Sequence, residues 1–255
     1  MKHPAAIAVM TIALMPSIAM ASGQELCIGH RVAPGRDGRM LGHLPYGQAN
    51  QPELVTMPSR FSLGAPCRLR PEAAADLSRM LTDATSSGLG GQIKAISCYR
   101  TVERQRAVFC GQIGPGKRCK NPAERARYVG PPGYSEHSTG YALDFGTRPS
   151  GGCTDLEACF ANTRAGRWLL ANASNYGFEL SFPAGNAQGV TWEPWHWRWV
   201  GTAVSAPGAG PARAIFARAR TSYPARPMHV DAPIAAAPAP EMPAAAPPPG
   251  VPLPQ

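Results

Sequence analysis

Apolar residues recur at regular spacing mainly in the middle of the chain, from about Phe61 to Gly201. Pro71 and Glu72 open a segment in which leucine, methionine and alanine fall on one helical face, and Gly88 closes it. The same rules predict a strand over 92–97, a helix capped by Thr101, a strand over 141–145, a helix over 165–176, a strand from Phe178 to Phe182 and a last strand in TWEPWHWRWVG. This order predicts an α+β fold, a single domain with a small antiparallel sheet and flanking helices.

The predicted strand over 141–145 alternates between its two faces. Tyr141, Leu143 and Phe145 fall on one face, and Ala142 and Asp144 fall on the other. We therefore expect Asp144 on the polar face of a strand whose opposite face is apolar.

The first residues have the pattern of a secretory signal peptide. Lys2 precedes a charge-free apolar run, Pro16 breaks it, and the AMA at 19–21 is the small-x-small pattern that a signal peptidase recognises. We predict a signal peptide over 1–21 with cleavage before Ser22, and hence an exported protein, periplasmic or secreted. The competing interpretation is an uncleaved membrane anchor, for which the run is barely long enough. No later stretch of the sequence is apolar enough to cross a membrane.

Composition divides the remaining chain into three parts. Residues 22–60 are rich in glycine and proline, which predicts a loop-rich N-terminal extension. Residues 61–202 carry the periodic pattern and form the predicted folded domain. Residues 203–255 are dominated by alanine and proline, which predicts a disordered tail. We expect truncation after about Ala203 to leave folding and activity nearly unchanged.

The net charge of +9 suggests an anionic partner. The basic residues are scattered, without an aromatic-interleaved stripe, and an exported protein rarely meets nucleic acid. We therefore predict no nucleic-acid binding and attribute the charge to attraction to the anionic bacterial envelope.

Seven cysteines occur after the predicted signal peptide, and an exported protein favours their pairing. Cys153 and Cys159 flank a short acidic loop, and Cys110 and Cys119 flank GQIGPGKR, so both pairs are predicted to form local disulfides. The odd count leaves at least one thiol unpaired or shared between chains.

Two of the six histidines, His137 and His196, lie in the periodic part of the chain. A core histidine is more often structural than a ligand, but Asp144 follows His137 by seven residues and Glu193 precedes His196 by three. Gly140 allows the backbone to fold so that His137 and Asp144 converge. Two histidines and a carboxylate leave one position open on zinc, and a second carboxylate can then act as general base. The remaining histidines are predicted at the surface or in the ends: His3, His30, His43 and His229.

Glu193 and His196 have opposite parity, so a regular strand would direct them to opposite faces. Pro194 lies between them and cannot donate to a sheet ladder. We predict a β-bulge there that turns both side chains to the same side.

Three segments, SEHSTGYALDFG, NASNYGFELSFP and WEPWHWRWVG, closely resemble the zinc D-Ala-D-Ala carboxypeptidases of the VanY type. SCYRTVERQ is similar to that family's Ser-x-Tyr-Arg-Ser-x-x-x-Gln segment. The resemblance runs from about Glu72 to Gly201 in the family's order. Two departures are Cys98, where the family usually has a small residue, and Thr101 in place of a serine. We attribute Cys98 to a disulfide.

The resemblance implies a role for each matching residue in hydrolysis of peptidoglycan stem peptides, with removal of the terminal D-Ala from D-Ala-D-Ala ends. It implies Zn²⁺ on His137, Asp144 and His196, Glu193 as catalytic base, Arg100 on the reacting carbonyl, and Tyr99, Gln105 and Ser135 on the substrate. Without the resemblance, Arg100 is equally well explained by a salt bridge to Glu103 or Asp83.

Other functions remain open on sequence grounds. A D,D-dipeptidase or a peptidoglycan endopeptidase would use the same four residues. A thiol hydrolase using Cys98 and His137 is disfavoured, because an oxidising compartment would consume the thiolate by disulfide formation. A non-catalytic wall-binding module would have no need for Glu193.

Overall fold

The computed structural model describes residues 23–228. The predicted signal peptide, the end of the chain from residue 229 onward, His3 and His229 lie outside the described residues. Between residues 23 and 228, no helix combines the length and the apolar character needed to cross a membrane.

The described residues form an antiparallel sheet with flanking helices. The strands are β1 (Gln24–Cys27), β2 (His30–Val32), β3 (Val55–Thr56), β4 (Arg68–Leu69), β5 (Ile93–Ser97), β6 (Ala142–Thr147), β7 (Phe178–Leu180) and β8 (His196–Trp199). The helices are α1 (Pro71–Ala84), α2 (Val102–Cys110), α3 (Pro122–Ala126), α4 (Arg164–Asn172), α5 (Ala209–Ile215) and α6 (Ala217–Ser222). The main sheet has the antiparallel order β5-β6-β8-β7, while β1 pairs with β2 and β3 with β4. The predicted α+β fold with a small antiparallel sheet is confirmed.

The boundaries of the first two helices follow from local chemistry. Pro71 and Glu72 occupy the first turn of α1, where proline costs no hydrogen bond and an acid meets the positive end of the helix. Gly88 adopts a left-handed conformation with φ of 76° and ends the turn that follows α1. The Thr101 side chain accepts a hydrogen bond from the Arg104 amide at 3.1 Å and caps α2.

One face of the main sheet forms the hydrophobic core. Leu143 and Phe145 of β6 and Trp197 and Trp199 of β8 are fully buried. They belong to one apolar cluster with residues of α1 and α4. Strand alternation directs these side chains to the same face, so the apolar pattern of the sequence determines which side the helices cover.

The opposite face of the sheet carries the charged side chains. Asp144 in β6 lies directly opposite His196 in β8, and Arg198 lies opposite Glu179 in β7. A register shift in β5 places Ser97 opposite Asp144 as well. The strand register therefore brings together residues that are far apart in the sequence.

The prediction of a disordered tail from residue 203 is wrong for the part of the tail that the structure describes. The helices α5 and α6 occupy most of residues 209–222, and Phe216 between them is fully buried. Its ring packs against Tyr46 and Tyr141, with centroids 5.7 and 6.5 Å away. Apolar periodicity did not reveal these helices, because alanines and one aromatic residue make the contact. For the same reason we now expect truncation after Ala203 to destabilise the fold.

The described chain contains three disulfides, Cys27–Cys110, Cys67–Cys98 and Cys153–Cys159. The predicted Cys153–Cys159 pair and the disulfide at Cys98 are confirmed. The predicted Cys110–Cys119 pair is wrong: Cys110 bonds to Cys27 in β1, and Cys119 is a buried free thiol. Packing of β1 against α2 decided this pairing.

The surface position predicted for His43 is also wrong. Only 3% of the residue is exposed, and its Nε2–H donates to the Ala126 carbonyl at 2.7 Å. Burial lowers the pKa of His43 to about 4, so the ring is neutral.

Candidate metal centre

Two histidines and one aspartate converge on the polar face of the sheet. His137 lies on a 3-10 turn, Glu136–Thr139, just before β6, Asp144 lies within β6, and His196 begins β8. One ligand atom from each of the three residues lies within 4.8 Å of the others, and all three residues are buried. His137 Nε2 is 3.2 Å from Asp144 Oδ2, and His196 Nδ1 is 2.9 Å from Asp144 Oδ1.

Gly140 connects the turn that carries His137 to β6. Its φ of 75° lies in the left-handed region, which other residues rarely adopt. A Cβ at this position would lie 2.7 Å from Leu54 Cδ2. Glycine is therefore needed here for the chain to bring His137 over Asp144.

In each imidazole, the nitrogen that faces away from Asp144, here called the outer nitrogen, is bonded to a hydrogen-bond acceptor. His137 Nδ1 lies 2.7 Å from the Cys98 carbonyl oxygen, which can only accept, so this nitrogen carries a hydrogen. His196 Nε2 donates to Glu136 Oε2 at 3.0 Å. The inner nitrogens, His137 Nε2 and His196 Nδ1, face Asp144. A metal-ligating histidine needs this arrangement, in which the outer nitrogen donates and the inner one binds.

The pKa shifts of the three residues are compatible with binding of a cation. Burial lowers the pKa of His137 to about 4, and repulsion from Arg100 adds to the effect. Burial alone would also lower the pKa of His196, but hydrogen bonds and attraction to Asp144 and Glu136 raise it to about 10. Burial opposes ionisation of Asp144, but the two histidines hold its pKa well below the usual range. A divalent cation beside Asp144 would replace the proton on His196, since metal ligands bind in their deprotonated forms.

Glu136 is a residue of this centre that sequence reasoning missed. Besides the bond from His196, its carboxylate accepts hydrogen bonds from Ser181 Oγ at 2.6 Å and Arg198 Nη1 at 3.0 Å. Arg198 is fully buried and also donates to Glu179 at 3.1 Å. Burial opposes ionisation of Glu136, but Arg198 and His196 keep its pKa well below the usual range. The sequence did contain a signal, because Arg198 lies between Trp197 and Trp199 in the last strand. A buried arginine requires an acidic partner.

Glu193 lies in the same cavity as His196, immediately before β8. The predicted bulge at Pro194 is absent. The segment is a turn in which the His196 amide donates to the Glu193 carbonyl at 3.0 Å. Because Glu193 precedes the strand, the parity of strand residues does not apply to it.

The Glu193 carboxyl is buried and has no hydrogen-bond partner among the described residues. Burial raises its pKa to about 8, although attraction to His196 opposes the shift. A carboxyl whose pKa lies near neutrality is suited to accept a proton and return it.

Arg100 lies beside Asp144 and forms no salt bridge to Glu103 or Asp83. Its Nη1 donates to Ser97 Oγ at 2.6 Å and lies 3.5 Å from Asp144 Oδ2. Nη2 has no hydrogen-bond partner in the described part of the chain. The guanidinium is therefore fixed through Nη1, and the N–H groups of Nη2 remain available to a ligand.

The three predicted substrate-binding residues lie in different surroundings. Ser135 lines the cavity. Gln105 is buried outside the cavity wall, where it accepts from Arg100 Nε at 2.8 Å and donates to the Gly130 carbonyl at 2.6 Å. Tyr99 is also outside the wall, and its hydroxyl donates to the Ala49 carbonyl at 3.1 Å. Gln105 thus fixes Arg100, and Tyr99 is not brought to the site.

These residues surround a cavity of about 350 Å³. Its wall includes His137, Asp144, His196, Glu193, Arg100, Ser135, Arg118, Arg125, Tyr128, Glu157, Trp192 and Trp195. A cavity of this size can hold a small ligand or the end of a peptide.

Sequence relatives of this chain are carboxypeptidases. The putative carboxypeptidase YodJ of Bacillus subtilis (strain 168) is 35% identical over 136 residues, 52% of this chain and 46% of that protein. A D-alanyl-D-alanine carboxypeptidase of Enterococcus faecium is 34% identical over 137 residues, 53% of this chain and 38% of that protein. The chain thus spans less than half the length of these two relatives.

A structural relative and a family profile match the same part of the chain. The LdcB LD-carboxypeptidase, whose structure was solved to reveal the basis of peptidoglycan recognition, is 31% identical with a TM-score of 0.54 over 68% of this chain and 76% of that one. The profile described as VanY: D-alanyl-D-alanine carboxypeptidase matches residues 66–202, more than half of the chain. That range contains every residue of the centre built above, and the chain belongs to the VanY D-alanyl-D-alanine carboxypeptidase family.

Proposed function

We propose that this protein is an exported, zinc-dependent carboxypeptidase that removes the terminal D-Ala from D-Ala-D-Ala ends of peptidoglycan stem peptides. The observation that carries the proposal is the buried group of His137, Asp144 and His196, in one cavity with the unpaired carboxyl of Glu193. Family membership supports the class of reaction. Three disulfides support export to an oxidising compartment.

The donor set fits zinc. Two imidazoles and a carboxylate, with a fourth position left open, are typical ligands of catalytic zinc. His137, Asp144 and His196 would hold the ion, and the hydrogen bonds of the outer ring nitrogens would orient both imidazoles. When bound, zinc supplies Lewis acidity, which polarises a peptide carbonyl and makes water a nucleophile near neutral pH.

The other residues of the cavity move protons and hold the substrate. Glu193 takes a proton from the attacking water and delivers it to the leaving amine. Arg100, fixed by Ser97 and Gln105, donates to the oxygen that becomes negative. Ser135 holds the peptide at the cavity wall.

A second candidate is L,D-carboxypeptidase activity, which the likeness to LdcB favours. D,D-dipeptidase and endopeptidase activities would use the same residues. The thiol hydrolase alternative loses support because Cys98 is bonded to Cys67 and has no free thiol. Digesting peptides with D-Ala-D-Ala ends, L,D ends or cross-links, and identifying the released products, separates these activities.

Glu193→Gln tests the division between metal ligands and base. The amide has nearly the same shape but cannot accept a proton, so we expect one zinc per chain by elemental analysis and retained binding of a D-Ala-D-Ala peptide. Turnover should fall by about 10²–10⁴-fold, the usual effect of losing a general base.

Two further variants serve as controls. Glu157→Gln changes a half-exposed carboxylate in the same cavity wall and should leave turnover near that of the wild type. His196→Ala should lose most of the zinc. Activity after exhaustive metal removal, or wild-type turnover by Glu193→Gln, would contradict the proposal.

A further inference from the structure

Arg125 is a buried cation in the wall of the cavity that contains the candidate metal centre. It lies in α3, and only 6% of the residue is exposed. The reaction proposed above leaves it without a role.

The guanidinium of Arg125 has no carboxylate partner in the described part of the chain. Nη2 donates to the Val108 carbonyl at 3.1 Å, while Nε is buried with no acceptor. Burial lowers the pKa of Arg125, the Cys119 thiol opposes the change, and repulsion from Arg118 and Arg100 adds to it. The group stays charged, because an arginine is not deprotonated in proteins.

Three carboxylates in the same cavity wall form ion pairs with other arginines: Glu136 with Arg198, Asp144 with Arg100, and Glu157 with Arg118. A buried charge is costly unless it is paired. A guanidinium in a cavity wall without a carboxylate partner fits a site that an anionic ligand completes.

We propose that Arg125 binds the terminal carboxylate of the peptide that the enzyme shortens. The inference rests on the proposed function, because a carboxypeptidase must accommodate a carboxylate one residue beyond the carbonyl that is attacked. Successive Cα atoms are about 3.8 Å apart, so this carboxylate lies close to the group that holds the carbonyl. Arg100 is assigned to that carbonyl, and Arg125 lines the same cavity as Arg100. The planar fork of a guanidinium also matches the geometry of a carboxylate.

The test compares two peptides that differ only at their C-terminus. One is an N-acetylated peptide ending in D-Ala-D-Ala with a free carboxylate, and the other is the same peptide as its C-terminal amide. For Arg125→Met we expect kcat/KM to fall about 10–100-fold with the carboxylate peptide and less than about 3-fold with the amide, as for loss of one charge-assisted hydrogen bond. Arg125→Lys keeps the charge without the fork and should fall between wild type and Arg125→Met.

Arg127→Met is the matched control. It removes the same charge from an exposed position two residues along the chain, and it should leave kcat/KM for both peptides within about 3-fold of wild type, since an exposed charge interacts weakly through water. Equal losses with both peptides in Arg125→Met would indicate a structural role and overturn the inference.

Calorimetric binding of the same two peptides to Glu193→Gln separates this inference from the proposed function. If wild type hydrolyses neither peptide, the proposed function fails. The inference still stands if Glu193→Gln binds the carboxylate peptide and the added Arg125→Met change weakens binding of that peptide but not of the amide. Binding that ignores Arg125, or no binding of either peptide, overturns the inference.

Discussion

Two hydrogen bonds decide which nitrogen of each histidine can bind a metal. The Cys98 carbonyl takes the hydrogen of His137 Nδ1, and Glu136 takes that of His196 Nε2. A backbone carbonyl is always an acceptor, but Glu136 is a full acceptor only while ionised. Arg198 keeps it ionised by direct contact in buried surroundings. At the scale of single residues, Glu136 is therefore expected to position His196.

Glu136→Gln tests this positioning role. The amide is a weaker acceptor, and the substitution removes the negative charge that pairs with Arg198. The ring of His196 is therefore held less firmly. We expect zinc affinity, measured by competition with a chelating dye, to fall about 10–100-fold, as for other partners of metal-bound histidines.

Glu179→Gln is the matched control for Glu136→Gln. Glu179 is equally buried and bonds the same Arg198 without touching His196. We expect it to lower the unfolding temperature while zinc affinity stays close to that of the wild type. Equal zinc affinities in the two variants would show that Glu136 only stabilises the fold.

At the scale of elements, the short helices α5 and α6 pack against charged side chains of the main sheet. Phe216 at their junction is fully buried, and the guanidinium of Arg198 lies over its ring at 5.4 Å. The same ring meets Tyr46, whose hydroxyl donates to Glu136 at 3.2 Å. These helices therefore belong to the folded unit, and we extend the proposed catalytic domain to include them.

Phe216→Ala should destabilise the protein by about 3–5 kcal/mol, because it removes a fully buried aromatic and leaves a cavity. Chemical denaturation measures the change. The adjacent Ile215 is 39% exposed, so Ile215→Ala should cost clearly less. Similar losses in the two variants would mean that α5 and α6 do not pack on the core in solution.

At the scale of the whole molecule, the N-terminal segment packs against the domain and is covalently linked to it. Leu26 and Met40 share a second buried cluster with Phe109 of α2. The Cys27–Cys110 disulfide bridges the same contact across a sequence separation of 83 residues. The Cys153–Cys159 disulfide closes a separation of only 6 residues.

These two disulfides should contribute unequally to stability. Chain entropy in the unfolded state predicts a loss of about 4–5 kcal/mol for Cys27→Ala/Cys110→Ala and about 2 kcal/mol for Cys153→Ala/Cys159→Ala. Replacing both partners avoids a new pair between Cys110 and the free Cys119. Unfolding in denaturant without reductant measures both changes, and an equal or reversed order would argue against the proposed attachment of β1 to α2.

Local features were predictable from the sequence because they depend on neighbours in the chain. Pro71 and Thr101 mark helix starts by their own chemistry, and alternation assigns Leu143 and Asp144 to opposite faces of β6. The two histidines were singled out in the same way, from carboxylates and a glycine at short spacing.

Features that depend on contacts between distant segments were decided by the tertiary structure. Sheet register placed Asp144 opposite His196, packing brought Cys27 to Cys110, and buried partners placed Glu136 beside the candidate metal centre. The turn before β8 replaced the predicted bulge, and a single phenylalanine anchored helices with no apolar periodicity. In each case the deciding free energy comes from burial and charge pairing across the fold, which local patterns in the chain do not contain.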